Sequence, residues 1–162
     1  MRSISNEKNL CDKKILLRLD LNVPLRKGNI IDTTRIDKIL PTLKFLNKQK
    51  AKVIILSHIG RPKGKVLKEL SLEPICENLK DQLGLSVKLI TQNINEIKNK
   101  DFFNKFEEEI LMLENIRFYA EEEKNDNKFA KHLASLADLY VNDAFSCSHR
   151  AHASIVEISK FL

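Results

Sequence analysis

Apolar, β-branched runs punctuate this chain at Lys14 to Leu19, Lys52 to Ser57, Ser86 to Ile90, Ile110 to Leu113 and Leu139 to Asn142. Each is short and almost continuously apolar, the pattern of a strand covered on both faces. Helical patterns separate them, and buried strands alternating with helical crossovers predict a parallel sheet. The expected fold is α/β: a single-domain, three-layer αβα sandwich with a mainly parallel, Rossmann-like sheet.

The connecting segments carry helix signals. Asp32, Thr33 and Thr34 offer capping oxygens to a short helix starting near Arg35, with Ile36, Ile39 and Leu40 inward, and Pro41 then restarts a second helical segment from Thr42 to Lys50. Ser71, Glu73 and Pro74 open a helix through Leu83 that Gly84 ends. A further helix is expected over Asn125 to Asp138, facing Phe129, Leu133, Leu136 and Ala137 inward. Residues 93–109 have weak periodicity and read as helix or loop. Gly28 and Asn29 read as a tight turn between Val23 and Ile31, a hairpin-like excursion after the first strand.

Composition narrows the class. The 162 residues are 43% hydrophobic and 31% charged, which argues against disorder, and no apolar run approaches the roughly 20 residues that span a bilayer. The start of the chain lacks a signal-peptide pattern, so a cytoplasmic location and no membrane partner are expected. Cys11, Cys76 and Cys147 are widely spaced and read as reduced, packed thiols. No G-x-x-x-x-G-K-[ST] or G-x-G-x-x-G cradle occurs among the four glycines, so no nucleotide site is expected in this chain.

The net charge of +6 favours an anionic partner. Nucleic acid fits poorly, because two tyrosines and no tryptophan give few stacking platforms and no helix carries a dense basic stripe. Lysine outnumbers arginine 21 to 7, so each arginine raises the question of why a planar fork is needed at its position.

In an open parallel sheet, ligands bind beyond the carboxyl ends of the strands. There the chain places Asp20 and Asn22, His58, Gly60 and Arg61, Arg117, and a cluster of His149, Arg150 and His152. Arg35 opens the helix after the hairpin. Taken singly, these have bland readings: a capped turn for Asp20 and Asn22, a satisfied turn histidine for His58, a local Glu114 to Arg117 pair, and helix solvation for Arg35. The histidine pair lacks a third ligand at a convincing spacing, so no metal site is expected. Together, Arg35, Arg61, Arg117 and Arg150 suit a ligand bearing phosphate and carboxylate groups.

Five ordered segments covering nearly the whole chain resemble the phosphoglycerate kinase family. They are Arg18-Leu19-Asp20-Leu21-Asn22-Val23-Pro24, Asp32-Thr33-Thr34-Arg35-Ile36, Ser57-His58-Ile59-Gly60-Arg61-Pro62, Leu113-Glu114-Asn115-Ile116-Arg117-Phe118 and residues 140–154. The chain departs from the family's usual glycine and Thr-Ala at Ser146-Cys147-Ser148. The resemblance implies a glycolytic kinase that reversibly moves the acyl phosphate of 1,3-bisphosphoglycerate to ADP with magnesium, giving 3-phosphoglycerate and ATP. It implies that residues 1–162 form the amino-terminal, phosphoglycerate-binding domain, and that the carboxy-terminal, nucleotide-binding domain is absent. The chain alone is then expected to be inactive and to hold neither Mg2+ nor ADP or ATP tightly, and the enzyme to be monomeric. By motif position, Asp20 and Asn22 would contact the hydroxyl and carboxylate region, and His58, Arg61, Arg117 and Arg150 the distal phosphate. Arg35 would act catalytically on the transferring phosphoryl group, with His149 and Gly60 in support. A phosphometabolite-binding domain without catalysis is the nearest alternative.

Overall fold

A computed structural model describes residues 3–144 and 150–162. Five strands form the main sheet: β1 (Lys14–Leu19), β4 (Lys52–Leu56), β5 (Val87–Ile90), β6 (Ile110–Leu113) and β7 (Leu139–Asp143), in the order β5-β6-β4-β1-β7. All of their pairings are parallel. Helices α1 (Thr34–Lys48) and α2 (Glu73–Leu83) share a core with one face of the sheet, through Ile15, Leu17, Leu19, Val53 and Ile55. Helix α4 (Asn127–Ser135) packs with Leu16, Ile54 and Leu56 on the other, where alternate strand residues point. The expected three-layer, single-domain fold is therefore observed, and no helix among the described residues is long and apolar enough to cross a membrane.

Two of the expected helices change. Helix α1 runs through Pro41 without a break. Ile36, Ile39, Leu43 and Leu46 bury one continuous face on both sides of the proline. Each such side chain contributes about 1.5–3 kcal/mol, against about 3 kcal/mol for a proline inside a helix. Pro41 is exposed, so water can serve the carbonyl of Asp37 that the missing N–H leaves behind. The helix expected over Asn125 to Asp138 is shorter: a single turn, α3 (Ala120–Glu123), precedes α4, and Asp126 caps α4 by accepting from the Phe129 N–H at 2.8 Å. Residues 93–109 hold two short 3-10 turns, Ile94–Glu96 and Lys100–Lys105, each opened by an asparagine cap.

The hairpin-like excursion is present as β2 (Leu25–Arg26) paired antiparallel with β3 (Asn29–Ile30). Its central residues are Lys27 and Gly28, one position earlier than expected, both with positive φ (51° and 79°) as a primed two-residue turn requires.

Candidate functional site

The chain moves outward from β1 to β4 and on to the edge strand β5, comes back to place β6 between β5 and β4, and then crosses to the opposite side of β1 as β7. This reversal places a ligand crevice at the carboxyl end of β1. A cleft of about 220 Å³ opens there, lined by Asp20, Asn22, Arg35, His58, Gly60, Arg61, Arg117 and Arg150. Eight of the residues singled out in the sequence thus meet on one wall. His149 and Cys147 lie outside the described residues.

Buried polar groups hold the loops in register. Ser57 Oγ donates to the Leu19 carbonyl at 2.8 Å and accepts from the Leu21 N–H at 3.1 Å, while the Ser57 carbonyl accepts from the Ile116 N–H at 3.0 Å. One serine therefore fixes the ends of β1, β4 and β6 relative to one another. The Asn115 amide donates to the carbonyls of Ile59 and Leu70, both at 2.9 Å, and its Oδ1 accepts from the Arg117 N–H at 3.0 Å. The carboxylate of Glu114 turns to the start of α2, accepting from Ser71 Oγ and the Leu72 N–H at 2.7 Å each.

Asp20 and Asn22 form both a turn and part of the cleft wall. The Asn22 N–H donates to Asp20 Oδ1 at 3.3 Å, and Asn22 Oδ1 accepts from the Gly60 N–H at 3.0 Å. Arg35 Nη1 reaches across from α1 to Asp20 Oδ1 and the Asn22 carbonyl, both at 2.9 Å. Gly60 has φ +63°, and a Cβ there would sit 2.7 Å from Leu70 Cδ2, so the backbone path at the cleft floor requires glycine.

The arginines differ in exposure. The side chain of Arg117 is only 5% exposed, with Nε 3.7 Å from Glu123 Oε1 and Nη1 donating to the Gly60 carbonyl at 3.4 Å. Arg35 is 47% exposed along its side chain, and Arg61 and Arg150 are also exposed. A desolvated guanidinium and exposed ones on the same cleft can grip an anion of several charged groups, with Asp20 the one lining carboxylate among the described residues.

His58 is buried, and its Nδ1 lies 2.9 Å from Arg18 Nη2. A guanidinium only donates, so Nδ1 accepts and the ring proton resides on Nε2. Burial first, then the charges of Arg18, Arg117, Arg150 and His152, push the imidazole down to about 2. His58 therefore offers the cleft a neutral N–H donor. His152 is half-buried beside the same charges, and burial and Arg117 likewise lower it. Among the described residues no three His, Cys, Asp or Glu groups are placed to hold a metal, so no residue here is assigned to magnesium.

Sequence reasoning passed over Arg18, Glu122 and Ser154 as site residues. The available signal was a lone arginine inside the apolar run of β1, which is fully buried with Glu122 and Ser154.

The sequence pattern of the family described as phosphoglycerate kinase matches residues 5–162. The chain belongs to the phosphoglycerate kinase family. A phosphoglycerate kinase of Dictyoglomus turgidum is 49% identical over 156 residues, covering 96% of this chain and 39% of the relative. One of Wolbachia pipientis subsp. Culex pipiens is 52% identical over 155 residues, with 94% and 39% covered. The solved phosphoglycerate kinase of Coxiella burnetii superposes with a TM-score of 0.86 at 39% identity, covering 98% of this chain and 39% of that one. For the enzyme of Pyrococcus horikoshii OT3 the TM-score is 0.84 at 30% identity, with 98% and 40% covered. The chain thus spans about two fifths of the length of these phosphoglycerate kinases, the part in which the cleft just described is built.

Proposed function

We propose that this chain supplies the glycerate-binding site of a phosphoglycerate kinase, the enzyme that reversibly transfers the acyl phosphate of 1,3-bisphosphoglycerate to ADP, giving 3-phosphoglycerate and ATP. The observation that carries this reading is the convergence of Arg35, Arg61, Arg117 and Arg150 on one cleft with a single lining carboxylate among the described residues. A three-carbon acid bearing phosphate and carboxylate groups matches that charge arrangement, and forks suit both groups bidentately.

In this reading, Arg117 and the His58 Nε2–H hold the distal phosphate at the floor, with Arg61 and Arg150 closing on it from the rim. Asp20 and the Asn22 amide address the hydroxyl and carboxylate end, and Gly60 lets the backbone approach. Arg35 sits at that same end and offsets charge on the transferring phosphoryl group, since this chemistry asks for positioning and electrostatics without a protein nucleophile. Nucleotide and magnesium enter the reaction, and no described residue of this chain is assigned to either. The family's place in glycolysis supports a cytoplasmic, monomeric enzyme, with no nucleic acid or membrane partner.

Calorimetry of the chain with 3-phosphoglycerate, 2-phosphoglycerate and inorganic phosphate tests the reading. Preference for 3-phosphoglycerate is expected. Equal affinity for all three would mark a generic anion patch and remove the assignment.

A further inference from the structure

Arg18 is fully buried inside β1, beneath the cleft but absent from its lining. Its three donor groups have separate acceptors: Nη1 donates to the Leu19 carbonyl at 2.7 Å, Nε to Ser154 Oγ at 3.0 Å and Nη2 to His58 Nδ1 at 2.9 Å. Ser154 passes the chain onward, its N–H donating to Glu122 Oε1 at 2.6 Å and its hydroxyl to Glu122 Oε2. Glu122 is itself fully buried on α3. A buried guanidinium needs a counter-charge, and this carboxylate, relayed through one hydroxyl, is the one its hydrogen-bonded chain reaches.

The direction of every bond follows from the donor inventory. Arg18 can only donate, so Ser154 Oγ accepts from it and has one proton left for Glu122, and His58 Nδ1 must present a lone pair. The charged groups surrounding His58 are Arg18, Arg117 and Arg150, with His152 the titratable neighbour. None is a carboxylate that would favour an imidazolium.

Resting on the functional reading above, we propose that Arg18 is a positioning residue: backed by Ser154 and Glu122, it fixes His58 as the neutral Nε2–H tautomer, so that the cleft meets its phosphate with an oriented donor. Arg18 touches no ligand in this arrangement. Its charge is matched internally by Glu122, and the cationic grip is left to the arginines that line the cleft.

The test is side-chain 15N NMR of the unliganded chain at neutral pH, followed by titration with 3-phosphoglycerate. In the unaltered chain, His58 Nδ1 should resonate as an unprotonated nitrogen and Nε2 as a protonated one. The double variant Arg18→Met with Glu122→Gln removes the donor without stranding a buried carboxylate. It should let His58 sample both tautomers and weaken 3-phosphoglycerate about tenfold, the equivalent of one lost charged hydrogen bond. A protonated Nδ1 or an imidazolium in the unaltered chain would overturn the proposal, as would a double variant that keeps both the tautomer and the affinity. The nitrogen result on the unaltered chain decides even if the double variant fails to fold. Failure of the functional reading appears separately, as equal affinity of the unaltered chain for 3-phosphoglycerate and inorganic phosphate.

Discussion

Asn22 Oδ1 accepts the backbone N–H of Gly60 at 3.0 Å, joining the loop after β1 to the loop after β4 across 38 residues of sequence. The two loops contribute Asp20, Asn22, His58, Gly60 and Arg61 to the cleft, so this bond, beyond the Ser57 link, helps set the spacing between them. Asn22→Ala removes the acceptor and leaves a part-buried N–H to find water. We expect a loss of about 1 kcal/mol in urea unfolding and roughly tenfold weaker 3-phosphoglycerate binding. Unchanged affinity would show that the loops keep their spacing without it.

Glu114 holds the start of α2 with both carboxylate oxygens, accepting hydrogen bonds from Ser71 Oγ and the Leu72 N–H, and it also accepts from the Asn115 N–H at 3.1 Å. Glu114→Ala strands these donors at a part-buried helix start and should lower stability by about 2–3 kcal/mol. Glu114→Gln keeps one acceptor and should lie between the two. Thermal or urea denaturation of the three proteins gives the order, and an alanine variant as stable as the parent would overturn this role.

The central strands β1, β4 and β6 were legible because burial on both sheet faces demands nearly unbroken apolar runs, and their polar exits marked the cleft. Helix α1 was read as two pieces because the rule for Pro41 is local, whereas the face of Ile36, Ile39, Leu43 and Leu46 that overrides it forms against the sheet. Arg18, Ser154 and Glu122 were missed for a related reason. Arg18 and Ser154 are 136 residues apart, and nothing in either neighbourhood reveals that each satisfies the other. Exposed arginines at strand ends announce a site, whereas buried support becomes visible only once side chains meet.

His58 ties stability to pH. Burial, then the nearby arginines, hold its folded-state value at about 2, against 6.5 for an ordinary histidine. Below 6.5 the unfolded chain binds a proton that the folded chain refuses, so stability falls as pH drops through that window and is insensitive to this group above it. The contribution approaches about 1.4 kcal/mol per pH unit, and His152, lowered by burial and Arg117, adds in the same direction. Asn places an oxygen where Nδ1 stood, preserving an acceptor for Arg18 while removing the titration. His58→Asn should therefore unfold in urea with a shallower loss of stability between pH 7 and pH 5 than the parent. Parallel profiles would mean that His58 titrates alike in the folded and unfolded chain, which would overturn its depressed value.

The catalytic role proposed for Arg35 can be separated from binding. Arg35 sits half-exposed at the start of α1 with Nη1 on Asp20 and on the Asn22 carbonyl. In an enzyme of full family length carrying this chain, Arg35→Ala should reduce kcat by roughly a hundredfold or more, the scale for removing one donor to developing charge, while 3-phosphoglycerate affinity changes much less. Arg35→Lys restores the charge but not the fork, so partial recovery would assign the remainder to bidentate geometry. Arg150→Ala should show the opposite split, weakening glycerate with kcat nearly retained, because holding the distal phosphate contributes equally before and during transfer. If both variants lost only affinity, Arg35 would be a binding residue like its neighbours and the catalytic assignment would fail.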